Sequence, residues 1–165
     1  MSVHKFLGSA DDLIGIQPQV QALESLLKLS SDDDGFRVLG IWGMDGIGKT
    51  TLANVLYYLI SNHYQLDACC FIEDVSKVYR DGGAIAVQTR ILHQTLKEKN
   101  LKGYSPSEIS GIITNRLHNL KLLIVLDDVD QFEQLQKLHI NTKLLHPGSR
   151  IIITTRDVHI LDCME

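Results

Sequence analysis

A lysine and two threonines, Lys49, Thr50 and Thr51, close a loop that runs Gly43, Met44, Asp45, Gly46, Ile47, Gly48. The spacing from Gly43 to Thr50 is GxxxxGK[ST], in which glycines let the backbone wrap until successive N–H groups face one anion. Set at the start of a helix, such a cradle takes phosphate. The loop and Thr51 would then surround the phosphates of a nucleotide, with Lys49 reaching β and γ and the Thr50 hydroxyl holding Mg²⁺. Asp45 puts a negative charge into an anion site. Its side chain can point outward while the backbone binds, and aspartate tolerates a positive φ, should the turn need one, better than most residues.

A second group of reactive residues ends the apolar run LLIVLDDVD, Leu122 to Asp130. In a parallel sheet the ligand crevice lies beyond the carboxyl ends of the strands, so Asp127 and Asp128 would arrive beside the phosphates. Asp127 is assigned to the metal, and Asp128 to a catalytic role, orienting water toward the γ phosphate. A third group closes RIIITTRD, Arg150 to Asp157. If residues 151–155 form a strand between the loop strand and the Asp127 strand, Arg156 emerges at the same edge and can sense the γ phosphate.

These groups need a frame, and the pattern of the chain supplies one. FRVLGIW, Phe36 to Trp42, is a short apolar run of buried-strand type leading into the loop. Leu52, Val55, Leu56, Leu59 and Ile60 then recur on one helical face. LDACCFIEDV, Leu66 to Val75, reads as the next strand, with a turn at DGG, Asp81 to Gly83, before a helix marked by Ile85, Ile91, Leu92 and Leu96. SPSE, Ser105 to Glu108, has the form of a capping box opening another helix. Asp130 with Glu133 is expected to cap a short helix carrying Phe132, Leu135 and Leu138, and HPGS, His146 to Ser149, reads as a turn. Ahead of all this, Gln17 and Pro18 open an amphipathic helix carrying Val20, Leu23, Leu26 and Leu27. Helices alternating with strands that are apolar on both faces predict an α/β fold of three layers, a parallel sheet covered on both sides.

Composition narrows the partners. The chain has 165 residues, 44% hydrophobic and 22% charged, which suits one globular domain. With a net charge of -4 and no basic cluster, nucleic acid is not a favoured partner. Cys69, Cys70 and Cys163 form no CxxC pair and read as reduced thiols, and the histidines show no zinc spacing. No apolar run approaches the roughly 20 residues of a membrane span, so a cytosolic or nuclear location is expected.

In order and spacing, GIWGMDGIGKTTLA, LDACCFIEDV, LLIVLDDVDQFEQL and GSRIIITTRD resemble the nucleotide-binding part of the NB-ARC domain of plant NBS-LRR disease-resistance proteins. The last aspartate of LDDVD and the FIEDV segment resemble the TIR-type subclass. The resemblance implies a P-loop NTPase fold and an ATP/ADP switch, in which ADP holds a receptor off and exchange for ATP permits oligomerisation. It also implies that Leu13 and Ile14, in DDLIGIQPQVQALESLL, line the adenine. Lys49 and Thr50 match the family's P-loop lysine and metal threonine, Asp127 and Asp128 its paired acids, and Arg156 the arginine of its TTR motif.

The expected organisation is a tail over residues 1–10 and a nucleotide-binding subdomain over residues 11–165. Within these 165 residues the family's GLPL and MHD segments, its leucine-rich repeats and a TIR domain are not expected. The family's last strand, beside the loop strand, is expected to be missing, leaving that strand as an exposed edge open to self-association. Because the family's later subdomains close over the nucleotide and the MHD histidine contacts ADP, weakened nucleotide affinity and little independent switching are expected of these residues alone. Two other readings remain: a catalytic P-loop ATPase or kinase, and an inactive receptor fragment.

Overall fold

The apolar runs are continuous because the sheet they build is covered on both faces. In the computed structural model, residues 2–8, 16–27, 37–97, 101, 103–138 and 145–164 are described. The elements begin with β1 (Ser2–Leu7), α1 (Ile16–Leu27), β2 (Arg37–Trp42), α2 (Lys49–His63) and β3 (Ala68–Ile72). They continue with α3 (Val75–Thr95), α4 (Pro106–Leu117), β4 (Leu122–Leu126), α5 (Phe132–Gln136), β5 (Arg150–Thr155) and α6 (Val158–Asp162). The sheet order is β1-β2-β5-β4-β3, and all four pairings are parallel.

Alternation along each strand divides the interior into two layers. Leu122, Ile124 and Leu126 join Val38, Ile151 and Ile153 against α3, α4 and α6. Leu123 and Val125 turn the other way with Leu39, Ile41 and Ile152, against Val20, Leu23 and Leu27 of α1 and Leu52, Leu56 and Ile60 of α2. Each fully buried leucine or isoleucine contributes roughly 1.5–3 kcal/mol, so the two layers are what hold the strand ends in place. β5 lies between the loop strand β2 and the acid strand β4, the condition under which Arg156 emerges at the same edge as the acids.

Four expectations need correction. The loop strand is not an exposed edge. Ser2–Leu7, within the stretch expected to be a tail, pair with β2 in register from Ser2↔Arg37 to Leu7↔Trp42. Val3 packs on one core and Phe6 on the other, while Lys5 forms an ion pair with Asp162 of α6. With only those two core residues, the segment lacks the unbroken apolar signal of a central strand, which is why it reads as a tail. Secondly, the strand expected over residues 66–75 ends at Ile72, and Val75 already opens α3. The Asp81–Gly83 turn is a break inside that helix, at Gly83 with φ 73° and ψ -172°, a conformation essentially confined to glycine.

Thirdly, Asp45 does not need a positive φ. The loop's left-handed residues are Gly43, Gly46 and Gly48, with φ of 147°, 80° and 92°. Lastly, the N-cap of α5 is Gln131 rather than Asp130. The Gln134 side chain accepts from the Asp130 and Gln131 N–H groups at 3.1 and 3.4 Å, while Glu133 pairs with Lys137 at 2.6 Å. The capping box at α4 is present as expected, Ser105 Oγ accepting from the Glu108 N–H at 3.2 Å.

Candidate functional site

Parallel pairing brings the carboxyl ends of β2, β5, β4 and β3 to one edge, and the reactive residues follow directly from those ends. Trp42 is level with Thr155, and the Gly43 N–H donates to the Thr155 carbonyl at 3.2 Å. The loop therefore starts beside the end of β5. Gly48 is the N-cap of α2 in a left-handed conformation and no side chain caps it, so the first N–H groups of the helix face the loop interior.

A cleft of about 440 Å³ opens at this edge, lined by Asp45, Gly46, Gly48, Lys49, Thr50, Thr51, Asp74, Asp127, Asp128 and Thr154. Lys49 is buried and donates to the carbonyls of Gly43 and Met44 at 2.7 and 2.6 Å, closing the loop on itself. Ile47 turns its side chain in beneath Gly8 and Gly43, while Met44 is 78% exposed. Gly43, Met44 and Ile47 thus shape the loop without lining the cleft. Leu13 and Ile14 lie outside the described residues.

On the far wall, Asp127 Oδ1 accepts from Thr50 Oγ1 at 2.8 Å and from Thr154 Oγ1 at 2.7 Å. Thr154 Oγ1 in turn accepts from the Asp128 N–H at 2.8 Å. Two hydroxyls and a carboxylate thus link the helix after the loop to the two central strands. This set fits Mg²⁺, which binds through one or two carboxylates together with substrate phosphates. Arg156 is not in the cleft wall. It reaches over the rim to Asp45, Nη1 to Oδ2 3.2 Å, with both side chains exposed.

Asp74 and Ser76 belong to the site although their sequence positions did not announce it. Asp74 (φ 48°) and Asp128 (φ 57°) both adopt the left-handed conformation. The Val75 and Ser76 N–H groups donate to the Asp127 and Asp128 carbonyls at 2.8 and 3.1 Å, fastening the start of α3 to the acid loop. Buried Ser76 Oγ lies 3.1 Å from Asp74 Oδ1 and 3.2 Å from Asp128 Oδ2. The one available signal was an aspartate just past the apolar stretch ACCFI, on the strand that becomes the neighbour of β4.

Charge and burial act against each other here. Burial holds the Lys49 ammonium below its ordinary range, and Arg156 acts in the same direction, while Asp45, Asp128 and Asp127 oppose them. Burial pushes the Asp128 carboxyl up; the Ser76 hydroxyl works against it, and Asp74 and Asp127 add to it. Asp74 and Asp127 thus crowd the Asp128 carboxyl, and a bound divalent ion would relieve that repulsion.

A glycine cradle at a helix start, a buried lysine and paired acids at the end of a central parallel strand define a P-loop nucleotide-binding module of the NTPase type. Solved structures share the fold: Cdc6p from Pyrobaculum aerophilum has a TM-score of 0.67 at 20% identity over 90% of this chain and 40% of that one. The Aeropyrum pernix ORC2 protein, solved as ADPNP-ADP complexes, has a TM-score of 0.61 at 19% identity over 91% of this chain and 43% of its own.

The chain belongs to the NB-ARC domain family, whose pattern it matches over residues 17–165. It is 36% identical over 162 residues to TMV resistance protein N of Nicotiana glutinosa, covering 94% of this chain and 14% of that protein. Probable disease resistance protein RPP1 of Arabidopsis thaliana is 37% identical over 159 residues, covering 92% of this chain and 12% of its own length. The chain therefore spans about one seventh or less of these relatives.

Proposed function

We propose that the chain is the nucleotide-binding subdomain of an intracellular plant immune receptor, and that it binds ADP and ATP as the two states of a switch. The observation that carries the nucleotide reading is the convergence of Thr50, Thr154 and Asp127 beside a helix start left open to an anion. In this reading the N–H groups of residues 43–51 hold the phosphates and Lys49 exchanges its bonds to the Gly43 and Met44 carbonyls for bonds to β and γ oxygens. Thr50 and Asp127 hold Mg²⁺, which when bound neutralises phosphate charge. Asp128, kept in place by Ser76, orients water, and Arg156 meets the γ phosphate. The family resemblance adds Leu13 and Ile14, outside the described residues, to this reading as the adenine contacts.

The receptor context rests on the plant resistance relatives, and TIR and leucine-rich-repeat domains are the partners proposed with it. A cytosolic or nuclear setting is part of the same proposal; among the described residues no helix is long and apolar enough to cross a membrane. Calorimetric titration of ADP and ATP into the purified chain, with Mg²⁺, tests the nucleotide reading: saturable binding of both supports it, and no binding of either rejects it. A steady-state hydrolysis assay then separates a switch, which turns over slowly and keeps its product, from a catalytic ATPase that turns over many times.

A further inference from the structure

Asp45 stands between the two cations that the site would turn toward a third phosphate. Its Oδ2 accepts from Arg156 Nη1 at 3.2 Å and its Oδ1 lies 4.0 Å from Lys49 Nζ. The arrangement follows from the sheet, because Trp42 and Thr155 are register partners and the chain leaves both strands at the same level. Backbone geometry gives no reason for an aspartate here, since Asp45 is not among the positive-φ residues. What its carboxylate does is neutralise cations that would otherwise face the cleft.

Resting on the nucleotide reading above, we propose that Asp45 is a specificity-determining residue, an internal stand-in for a γ phosphate that makes the site favour a nucleoside diphosphate over a triphosphate. A diphosphate is served by the loop N–H groups and Lys49, and leaves the pair of Asp45 with Arg156 intact. A triphosphate must draw Arg156 away and places added negative charge beside a carboxylate left without its partner. Both side chains are mostly exposed, 70% for Asp45 and 57% for Arg156. Solvent therefore screens the exchange, and the discrimination is a matter of several-fold rather than thousands-fold.

The test compares calorimetric affinities for ADP and for a non-hydrolysable ATP analogue, with Mg²⁺, in the wild-type chain, Asp45→Asn, Arg156→Ala and the double variant. Asparagine keeps the size of the side chain and removes its charge. Asp45→Asn is expected to raise the triphosphate-to-diphosphate affinity ratio about 2- to 5-fold, whatever it does to ADP alone, an effect of the order expected for an exposed charge pair. That gain is expected to be smaller in the Arg156→Ala background, where there is no arginine to release. Binding of both nucleotides with an unchanged triphosphate-to-diphosphate ratio in Asp45→Asn overturns the proposal alone. No binding of either nucleotide by any variant overturns the nucleotide reading and this proposal together.

Discussion

The Thr50 hydroxyl donates to the Asp127 carboxylate at 2.8 Å, across a sequence separation of 77 residues. One bond thus joins the helix that follows the loop to the strand that carries the acids, and a metal bound there would touch both. Asp127→Asn keeps an acceptor for Thr50 and Thr154 and removes the charge, so the fold is expected to survive. The tightening of nucleotide binding by Mg²⁺ is expected to fall about tenfold or more. Titrations with and without Mg²⁺ measure it directly; equal Mg²⁺ dependence in the variant and the wild type would take Asp127 out of the metal site.

Gly40 lies in the middle of β2, where a β-carbon would run into the buried Leu161 side chain of α6. Gly40→Ala is therefore expected to destabilise the chain by about 1–3 kcal/mol, the usual cost of overpacking a filled core. Urea unfolding checks it, and adding Leu161→Val should recover part of the loss.

At Phe71 a side chain guards the outer edge of β3. Gln94 Oε1 accepts from the Phe71 N–H at 2.7 Å and its Nε2 donates to the Phe71 carbonyl at 3.1 Å, occupying both groups as a neighbouring strand would. Gln94→Ala reopens that edge, and sedimentation should show more self-association than in the wild type. Unchanged sedimentation would mean that the edge is protected by other means.

The three thiols should differ in reactivity because the thiolate is the nucleophile and burial disfavours it. Cys163 is exposed, Cys69 is half-buried with its thiol pushed up by burial, and Cys70 is fully enclosed and pushed up further. Maleimide should label Cys163 first and Cys69 slowly, with the Cys69 rate still rising above the ordinary thiol range. Cys70 should react only in denaturant, and mass spectrometry of timed samples separates the three.

The cleft was legible in the sequence wherever one residue type at one spacing has one physical use. Glycines 43, 46 and 48 are the positive-φ positions of the loop, and paired aspartates after five apolar residues mark the end of a strand buried on both sides. The shared edge of the acids and Arg156 followed from parallel pairing, while the central place of β5 entered the reading of Arg156 only as a condition, which the sheet meets. Less legible were features that depend on two distant segments. Asp74 and Ser76 enter the site only because β3 becomes the neighbour of β4, and Ser2–Leu7 become a strand only because β2 offers an edge. The helical start of α3 was hidden for a local reason, since Val75 follows the apolar run ACCFI after only Glu73 and Asp74.

The central claim is that the cleft at this sheet edge binds nucleotide phosphates through the loop and Lys49. Measuring the dissociation constant of ADP for the wild-type chain and for Lys49→Ala tests it most directly. Saturable binding by the wild type, weakened about 100-fold in the variant by loss of a charged donor to phosphate, is the predicted result. Equal affinities in a variant that folds normally would contradict it.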